Sequence, residues 1–169
     1  MRMAGSQAPE PADAHPAEPT SAAARRPSFR LAHASLAVDD VDRAVAFYRA
    51  AFDAQPVLVD HGMTDLIGRT VGVAGVGADL AQLRLPGTEQ LIELVAFRGV
   101  PAGREDDAPT RVGHGHVCFE VDDLEAALAH VERLGAARVG EVVRFPEGRA
   151  VYVREPTGSV FELEEVSPS

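Results

Sequence analysis

Hydrophobic and polar residues alternate in the segment FRLAHASLAV, which begins at residue 29. Leu36 and Val38 fall on one side of an extended chain there, and His33 and Ser35 fall on the other. In the next segment, DDVDRAVAFYRAAF, apolar residues recur at helical spacing up to Phe52. The pattern therefore predicts a half-buried strand followed by an amphipathic helix, with an aspartate at the helix start as its cap.

Three more strands are predicted after this helix. QPVLVD reads as a strand, residues 61–78 as a glycine-rich connection with room for one short helical turn, and DLAQLRL with LIELVAF as a hairpin. The resulting order is strand, helix, strand, strand, strand.

The second half of the chain repeats this pattern. HASLAVDDVDRAVAFY aligns without gaps on HVCFEVDDLEAALAHV, which places His33 on His116 at an offset of 83 residues. The later strands are ARVGEVVRF, residues 148–155 and SVFELEEV, and Glu93 falls on Glu162. The sequence thus predicts an α+β fold of two tandem βαβββ modules.

The domain boundaries follow from composition. Residues 1–28 are rich in Ala and Pro and predict a disordered tail before one domain at 29–167. Within it, module one spans 29–98, a polar linker spans 99–113, and module two spans 114–167.

Alternation also predicts where the repeated His and Glu side chains point. Their apolar neighbours must face the helices, so His33, His116, Glu93 and Glu162 are expected on the opposite face. Two neutral imidazoles and two carboxylates suit a divalent cation with open coordination positions. The hypothesis is a metal site, and the donor types do not distinguish Ni, Co, Zn, Mn, Mg and Fe.

Each of these residues also has a structural interpretation. A single strand Glu is usually solvated, and a single strand His is usually a hydrogen-bonded structural residue; the recurrence of both types favours metal ligands. His114 lies two residues before His116 and is an alternative ligand, although Leu31 stands at the equivalent place in the first half. Cys118 is expected on the same face as a small buried thiol.

Composition excludes several function classes. The chain has 26 acidic and 16 basic residues, all of the latter Arg, for a net charge of −10. This charge disfavours nucleic acid and anionic membranes as partners, and the lack of Lys excludes Schiff-base catalysis and a P-loop. One cysteine, no signal peptide and no long apolar run predict a cytoplasmic protein without a membrane span.

Over about residues 29–166 the chain resembles the vicinal oxygen chelate superfamily, which includes glyoxalase I, methylmalonyl-CoA epimerase, extradiol dioxygenases and bleomycin or fosfomycin resistance proteins. The segments that carry the resemblance are LAHASLAVDDVDRAVAFY, LRLPGTEQLIELVAF, GHVCFEVDDLEAALAHVERLGA and residues 148–165, which end in SVFELEE. The resemblance implies a U-shaped mixed sheet around a metal held by His33, Glu93, His116 and Glu162. This full set is similar to that of bacterial glyoxalase I, whereas epimerases often carry Gln in place of Glu93, and dioxygenases use two His and one carboxylate.

The expected function is a metal-dependent isomerase or lyase, glyoxalase- or epimerase-like, that removes a proton next to a metal-chelated carbonyl group of a small-molecule substrate. Glu162 or Glu93 is the predicted base, and Arg149, Arg84 and Gln82 are the predicted substrate-binding residues. A homodimer is expected. The alternatives are a metal-free drug or natural-product binding protein that confers resistance and a non-haem iron dioxygenase.

Overall fold

Module one follows the predicted order with one added helix. The structure, a computed structural model, describes residues 29–100, 109–110 and 113–167; the predicted tail at 1–28 and most of the predicted linker lie outside these ranges. Module one consists of β1 (His33–Ala37), α1 (Val41–Phe52), β2 (Gln55–Met63), α2 (Asp65–Val71), β3 (Gly77–Arg84) and β4 (Leu91–Arg98).

Module two has the same layout with a shorter second strand. Its elements are β5 (Val117–Glu120), α3 (Leu124–Arg133), β6 (Ala137–Arg138), β7 (Val143–Phe145), β8 (Gly148–Arg154) and β9 (Val160–Val166). The single strand predicted from ARVGEVVRF is divided, so that β6 and β7 each pair with a different part of β8.

Each module forms its own sheet. The strand orders are β1-β4-β3-β2 and β5-β9-β8-β6, with β7 also paired to β8. The first strand is parallel to the last strand of its module, while the other pairs are antiparallel. The predicted α+β class and tandem βαβββ modules are confirmed, with the strands in two sheets rather than one.

One hydrophobic core serves both modules. Its buried side chains come from the sheet faces that meet α1 and α3, including Leu94 of module one and Phe161 and Leu163 of module two. Two phenylalanines of α1 reach into module two: Phe47 lies 6.1 Å from Phe161, and Phe52 stacks on Phe119 at 4.0 Å between ring centroids. The two halves of this chain are therefore joined by aromatic packing as well as by the linker.

The β8–β9 turn of module two is also bonded to module one. Asp39 N donates a hydrogen bond of 3.0 Å to the Thr157 carbonyl oxygen, and the Arg43 guanidinium group donates one of 3.3 Å to the Pro156 carbonyl oxygen. Inside this turn the carboxylate of Glu155 is 2 % exposed, and Thr157 and Ser159 each donate to it from backbone N–H and hydroxyl groups. The buried carboxyl group thus accepts hydrogen bonds from four donors.

We call the face of each sheet that is turned away from its long helix, α1 or α3, the open face.

The glycine-rich connection of module one forms a complete helix, α2, where a single turn was expected. Its Ile67 packs with Met63 against Ala78, Leu80 and Val95. Since these residues alternate with those of the main core, α2 covers one end of the open face of module one.

Each module has a pair of adjacent aspartates between its first strand and its helix, Asp39–Asp40 in module one and Asp122–Asp123 in module two. Asp40 and Asp123 are the N-caps of α1 and α3, and their carboxylates accept from Arg43 N at 2.9 Å and Ala126 N at 3.0 Å. Their part in the structure is therefore helix capping.

Substitution Asp123→Ala is expected to lower the free energy of unfolding by about 1 kcal/mol, since the cap of α3 loses its acceptor. The measurement is urea denaturation followed by circular dichroism. Asp122→Ala removes the exposed neighbouring carboxylate and is the matched control, with an expected change below about 0.5 kcal/mol. Equal losses in the two variants would contradict the assignment of the cap.

None of the helices in the described ranges combines the length and the apolar character that a membrane crossing requires.

Candidate functional site

In module one, the predicted His and Glu are neighbours on the open face. His33 Nε2 lies 3.6 Å from Glu93 Oε1, and the two side chains are 38 % and 13 % exposed. Gln82 stands opposite Glu93 in the β3–β4 register, and its amide nitrogen donates a hydrogen bond of 2.9 Å to Glu93 Oε2. Glu93 is therefore held chiefly by Gln82.

Module two repeats this arrangement with a closer pair. His116 Nε2 donates to Glu162 Oε2 at 3.0 Å, and the side chains are 34 % and 19 % exposed. Tyr152 stands opposite Glu162 in the β8–β9 register, and its hydroxyl oxygen lies 3.4 Å from His116 Nε2. Partial burial, together with the charge of Glu162, raises the pKa of Tyr152.

The two pairs remain separate within one chain. Across the residues that the structure describes, no group of three or more His, Cys, Asp or Glu side chains lies close enough to hold a metal ion. The structure thus pairs His33 with Glu93 and His116 with Glu162 but does not bring the four predicted ligands into one group. Each pair amounts to half of the predicted ligand set.

The donor chemistry of each half still fits a divalent first-row cation. Each pair supplies one imidazole nitrogen and one carboxylate, and the Glu93 carboxylate has a further hydrogen-bond partner that orients it, Gln82. Such partners are typical of ligating carboxylates. His114, the alternative ligand, is exposed before β5, and the imidazole that contacts Glu162 is that of His116.

Arg84 lies beside the first pair. It stands opposite Leu91, and His33 stands opposite Leu91 on the other side of β4, so all three share a row of the sheet. Arg84 also lines a cavity of about 550 Å³, together with Asp53, Gln55 and the β3–β4 turn. The lining of this cavity includes neither His33 nor Glu93, so Arg84 and its strand neighbour Gln55 are what link it to the row of the first pair.

Arg149, a predicted substrate-binding residue, lies on the helix side of its sheet and not on the open face. It stands opposite Glu165 rather than opposite Glu162 or Glu164, and its guanidinium group donates to Glu165 Oε2 at 2.6 Å. Glu165 also accepts from Leu124 N at 2.8 Å, at the start of α3. Because Arg149 points to the helix side and its charge is paired, it serves the packing of α3.

Tyr152 was missed by the sequence analysis, and Cys118 was misjudged. Residues 152 and 162 are equally far from the centre of the Pro156-Thr157-Gly158 turn, so they pair across the hairpin. This register is the signal in the sequence that would have identified Tyr152. Cys118 was expected to be buried but is exposed on the open face, with Sγ 3.8 Å from Glu164 Oε2. Partial burial of its thiol and the charges of Glu162 and Glu164 raise its pKa to about 11, so the thiol stays protonated at neutral pH.

The sequence profile of the Glyoxalase/Bleomycin resistance protein/Dioxygenase superfamily matches residues 30–163. The chain belongs to this superfamily, which is the family that the repeated modules indicate.

The proteins similar to this chain include an enzyme and an antibiotic resistance protein. Lactoylglutathione lyase of Schizosaccharomyces pombe is 25% identical over 118 residues, which are 65% of this chain but 38% of that protein. A glyoxalase family protein from Bacillus cereus has a TM-score of 0.72 at 23% identity, over 86% of this chain and 99% of its own. The fosfomycin resistance protein FosX of Listeria monocytogenes, solved with Mn(II) and sulfate, has a TM-score of 0.53 at 18% identity, over 82% of this chain and 90% of its own.

Proposed function

We propose that this protein is a metal-dependent isomerase or lyase that removes a proton next to a carbonyl group of a small-molecule substrate. The observation that carries the proposal is the recurrence of one His–Glu pair at equivalent places on the open faces of two modules. The aspartate caps recur because each helix start needs an acceptor, whereas these pairs lie partly exposed on the open faces and cap no helix. The matched lactoylglutathione lyase supports a reaction of the glyoxalase type.

His33, Glu93, His116 and Glu162 would hold a divalent cation. When bound, such a cation polarises a carbonyl group and thereby acidifies the neighbouring C–H bond. Because one chain presents its ligands as two separate pairs, we further propose a homodimer in which a pair from each chain completes the set. The partly exposed side chains of both pairs leave room for such an approach.

The residues of the chain supply the other parts of the reaction. One carboxylate of the set, Glu162 or Glu93, takes the proton from carbon and returns it to the same or the adjacent carbon atom. Arg84 and Gln82, which share the open face with Glu93, bind a charged or polar end of the substrate. The reaction needs no outside oxidant, since the proton and the electron pair stay within the substrate.

Removal and return of the metal test this function. The protein is stripped with a chelator, reloaded with Ni, Co, Mn, Zn or Mg, and assayed with the hemithioacetal of methylglyoxal and glutathione and with a 2-substituted malonyl thioester. We expect turnover to fall at least a hundredfold when the metal is stripped and to return with one or more of these metals. Elemental analysis should find about one metal ion for every two His–Glu pairs, which is one per chain. The protein after dialysis, without chelator, is the control.

Three results would contradict the proposal. Protein that keeps no metal after dialysis and binds a drug stoichiometrically would be a binding protein. Oxygen uptake with a catechol and Fe would indicate a dioxygenase. Turnover that is unaffected by stripping would exclude the role of the cation.

A further inference from the structure

The open faces of the two modules end in the same kind of row, in which a small residue separates two larger apolar ones. By strand register, the rows are Met63–Ala78–Phe97 in module one and Phe145–Gly148–Val166 in module two. Residues that stand opposite each other point to one face of a sheet, so each row forms a shallow apolar depression. We call the depression of module two, over Gly148 and between Phe145 and Val166, the slot.

In module one, helix α2 covers the corresponding row. Its Ile67 packs with Met63 against Ala78. The helix lies in the connection between β2 and β3, which runs over residues 64–76. Burial of Ile67 on this row removes apolar surface from water, so module one covers its own depression.

Module two has no room for such a helix. Pro146 and Glu147 alone join β7 to β8, whereas one helical turn takes about four residues. Phe145 and Val166 stay 52 % and 47 % exposed. Among the residues that the structure describes, no helix stands in for α2 there, and the slot is open to water.

The outer side of α2 carries side chains that match the slot. Leu66 is 72 % exposed, and Arg69, three residues later, is exposed and forms no ion pair within the described part of the chain. Residues three apart lie on one side of a helix, so Leu66 and Arg69 point in similar directions while Ile67 faces its own sheet.

Two acids lie beside the slot. Glu120 and Glu164 stand opposite each other on β5 and β9, and like charges in this position repel each other. Glu164 is two residues before Val166 on its strand, a separation of about 7 Å. Leu66 and Arg69 are about 4.5 Å apart along the helix axis, and the arginine side chain adds the remaining reach. A leucine in the slot therefore places a guanidinium group beside the acids.

We propose that α2 of one chain covers the slot of a second copy of this chain, with Leu66 between Phe145 and Val166. Arg69 then pairs with Glu120 and Glu164. Each chain carries both the helix and the slot, so two copies exchange the contact reciprocally and close into a symmetric dimer. This inference adds a contact to the homodimer of the proposed function but requires no metal, so metal-free protein tests it.

Disulfide trapping tests the contact directly. Leu66→Cys and Phe145→Cys are combined in one chain, with Cys118→Ser to remove the native thiol, and the metal-free protein is oxidised with glutathione disulfide. We expect at least tenfold more cross-linked dimer on a non-reducing gel than from either single cysteine variant, because only paired side chains come close enough to join. The matched control combines Leu66→Cys with Arg133→Cys, whose exposed position on α3 lies on the other side of the sheet, and should stay at the level of the single variants.

Charge reversal tests the acidic side of the contact. Arg69→Glu should raise the dissociation constant of the dimer about tenfold, measured by analytical ultracentrifugation, because it places three acids together. Adding Glu164→Arg should bring the constant back to within about threefold of wild type, which two merely damaging substitutions would not do. Arg49→Glu reverses an exposed charge on α1 and is the control, with a change below about twofold.

The inference is overturned if the wild-type chain is a monomer, if trapping does not exceed that of the control, or if Arg69→Glu leaves the dissociation constant unchanged. A monomer that binds an apolar dye, with binding lost in Phe145→Ser, would overturn it by assigning the slot to a small molecule. Failure of the proposed function looks different: a dimer that is trapped and responds to charge reversal, but neither retains metal nor turns over any probe, would keep this contact and lose only the reaction.

Discussion

His116→Ala is expected to lower metal content at least tenfold and turnover of the hemithioacetal at least a hundredfold, because module two would lose one of its two proposed ligands and Glu162 loses its 3.0 Å partner. Glu162→Gln keeps the shape of the side chain but removes its negative charge, and should reduce turnover by about the same factor. The measurements are elemental analysis after dialysis and initial rates at saturating substrate.

His114→Ala is the matched control, since it removes an exposed imidazole only two residues away. It should keep metal content and turnover within about twofold of wild type. The opposite result, with metal lost in His114→Ala and kept in His116→Ala, would make His114 the ligand and show that the contact of His116 with Glu162 is a structural hydrogen bond.

Glu155→Ala is expected to lower the free energy of unfolding by about 2–4 kcal/mol, the largest stability effect we predict for a polar residue. The substitution leaves the backbone N–H and hydroxyl groups of Thr157 and Ser159 without their buried acceptor. In the same turn, the Thr157 carbonyl oxygen accepts a hydrogen bond from module one, so disorder there also weakens the contact between modules. The measurement is the urea midpoint at constant slope.

The control for this prediction is Glu147→Ala, which removes an exposed carboxylate from the β7–β8 turn and should change stability by less than about 0.5 kcal/mol. Glu155→Gln keeps one acceptor oxygen with two lone pairs, so its loss of unfolding free energy should lie between those of Glu155→Ala and Glu147→Ala. A loss below about 1 kcal/mol in Glu155→Ala would mean that water replaces the carboxylate in the folded protein.

Much of the fold could be predicted because the chain repeats it. Two features of the sequence identify the modules: the alternation of apolar and polar residues around His33 and His116, and the constant offset of 83 residues between the first strands and helices of the two halves. Whether a position is odd or even along its strand then places Glu93 and Glu162 on the same faces as the histidines. Parity works here because strand side chains alternate strictly between the two faces of a sheet.

Parity also gives the direction of Arg149. Arg149 lies three residues before Tyr152 on β8, and an odd separation along a strand places two side chains on opposite faces. Since Tyr152 stands opposite Glu162, Arg149 had to point towards α3. The charge of Arg149 suggested substrate binding, but the register decides its direction.

The relation between the two pairs could not be predicted from the sequence. Strand alternation fixes the face of a side chain but not the distance between two sheets, which depends on packing between modules. In this protein that packing involves Phe47 and Phe52 of α1 against the second sheet, and periodicity alone does not say which partner an apolar helix residue meets.

The reach of α1 into the second module bears on the history of the duplicated gene. An ancestral single module must have covered its own apolar side chains or paired with an identical copy. In the present chain, excision of either half would leave aromatic rings facing water, Phe47 and Phe52 from one side or Phe119 and Phe161 from the other. Each half therefore depends on the other to keep these rings away from water, and a separated half would need another apolar surface to cover them.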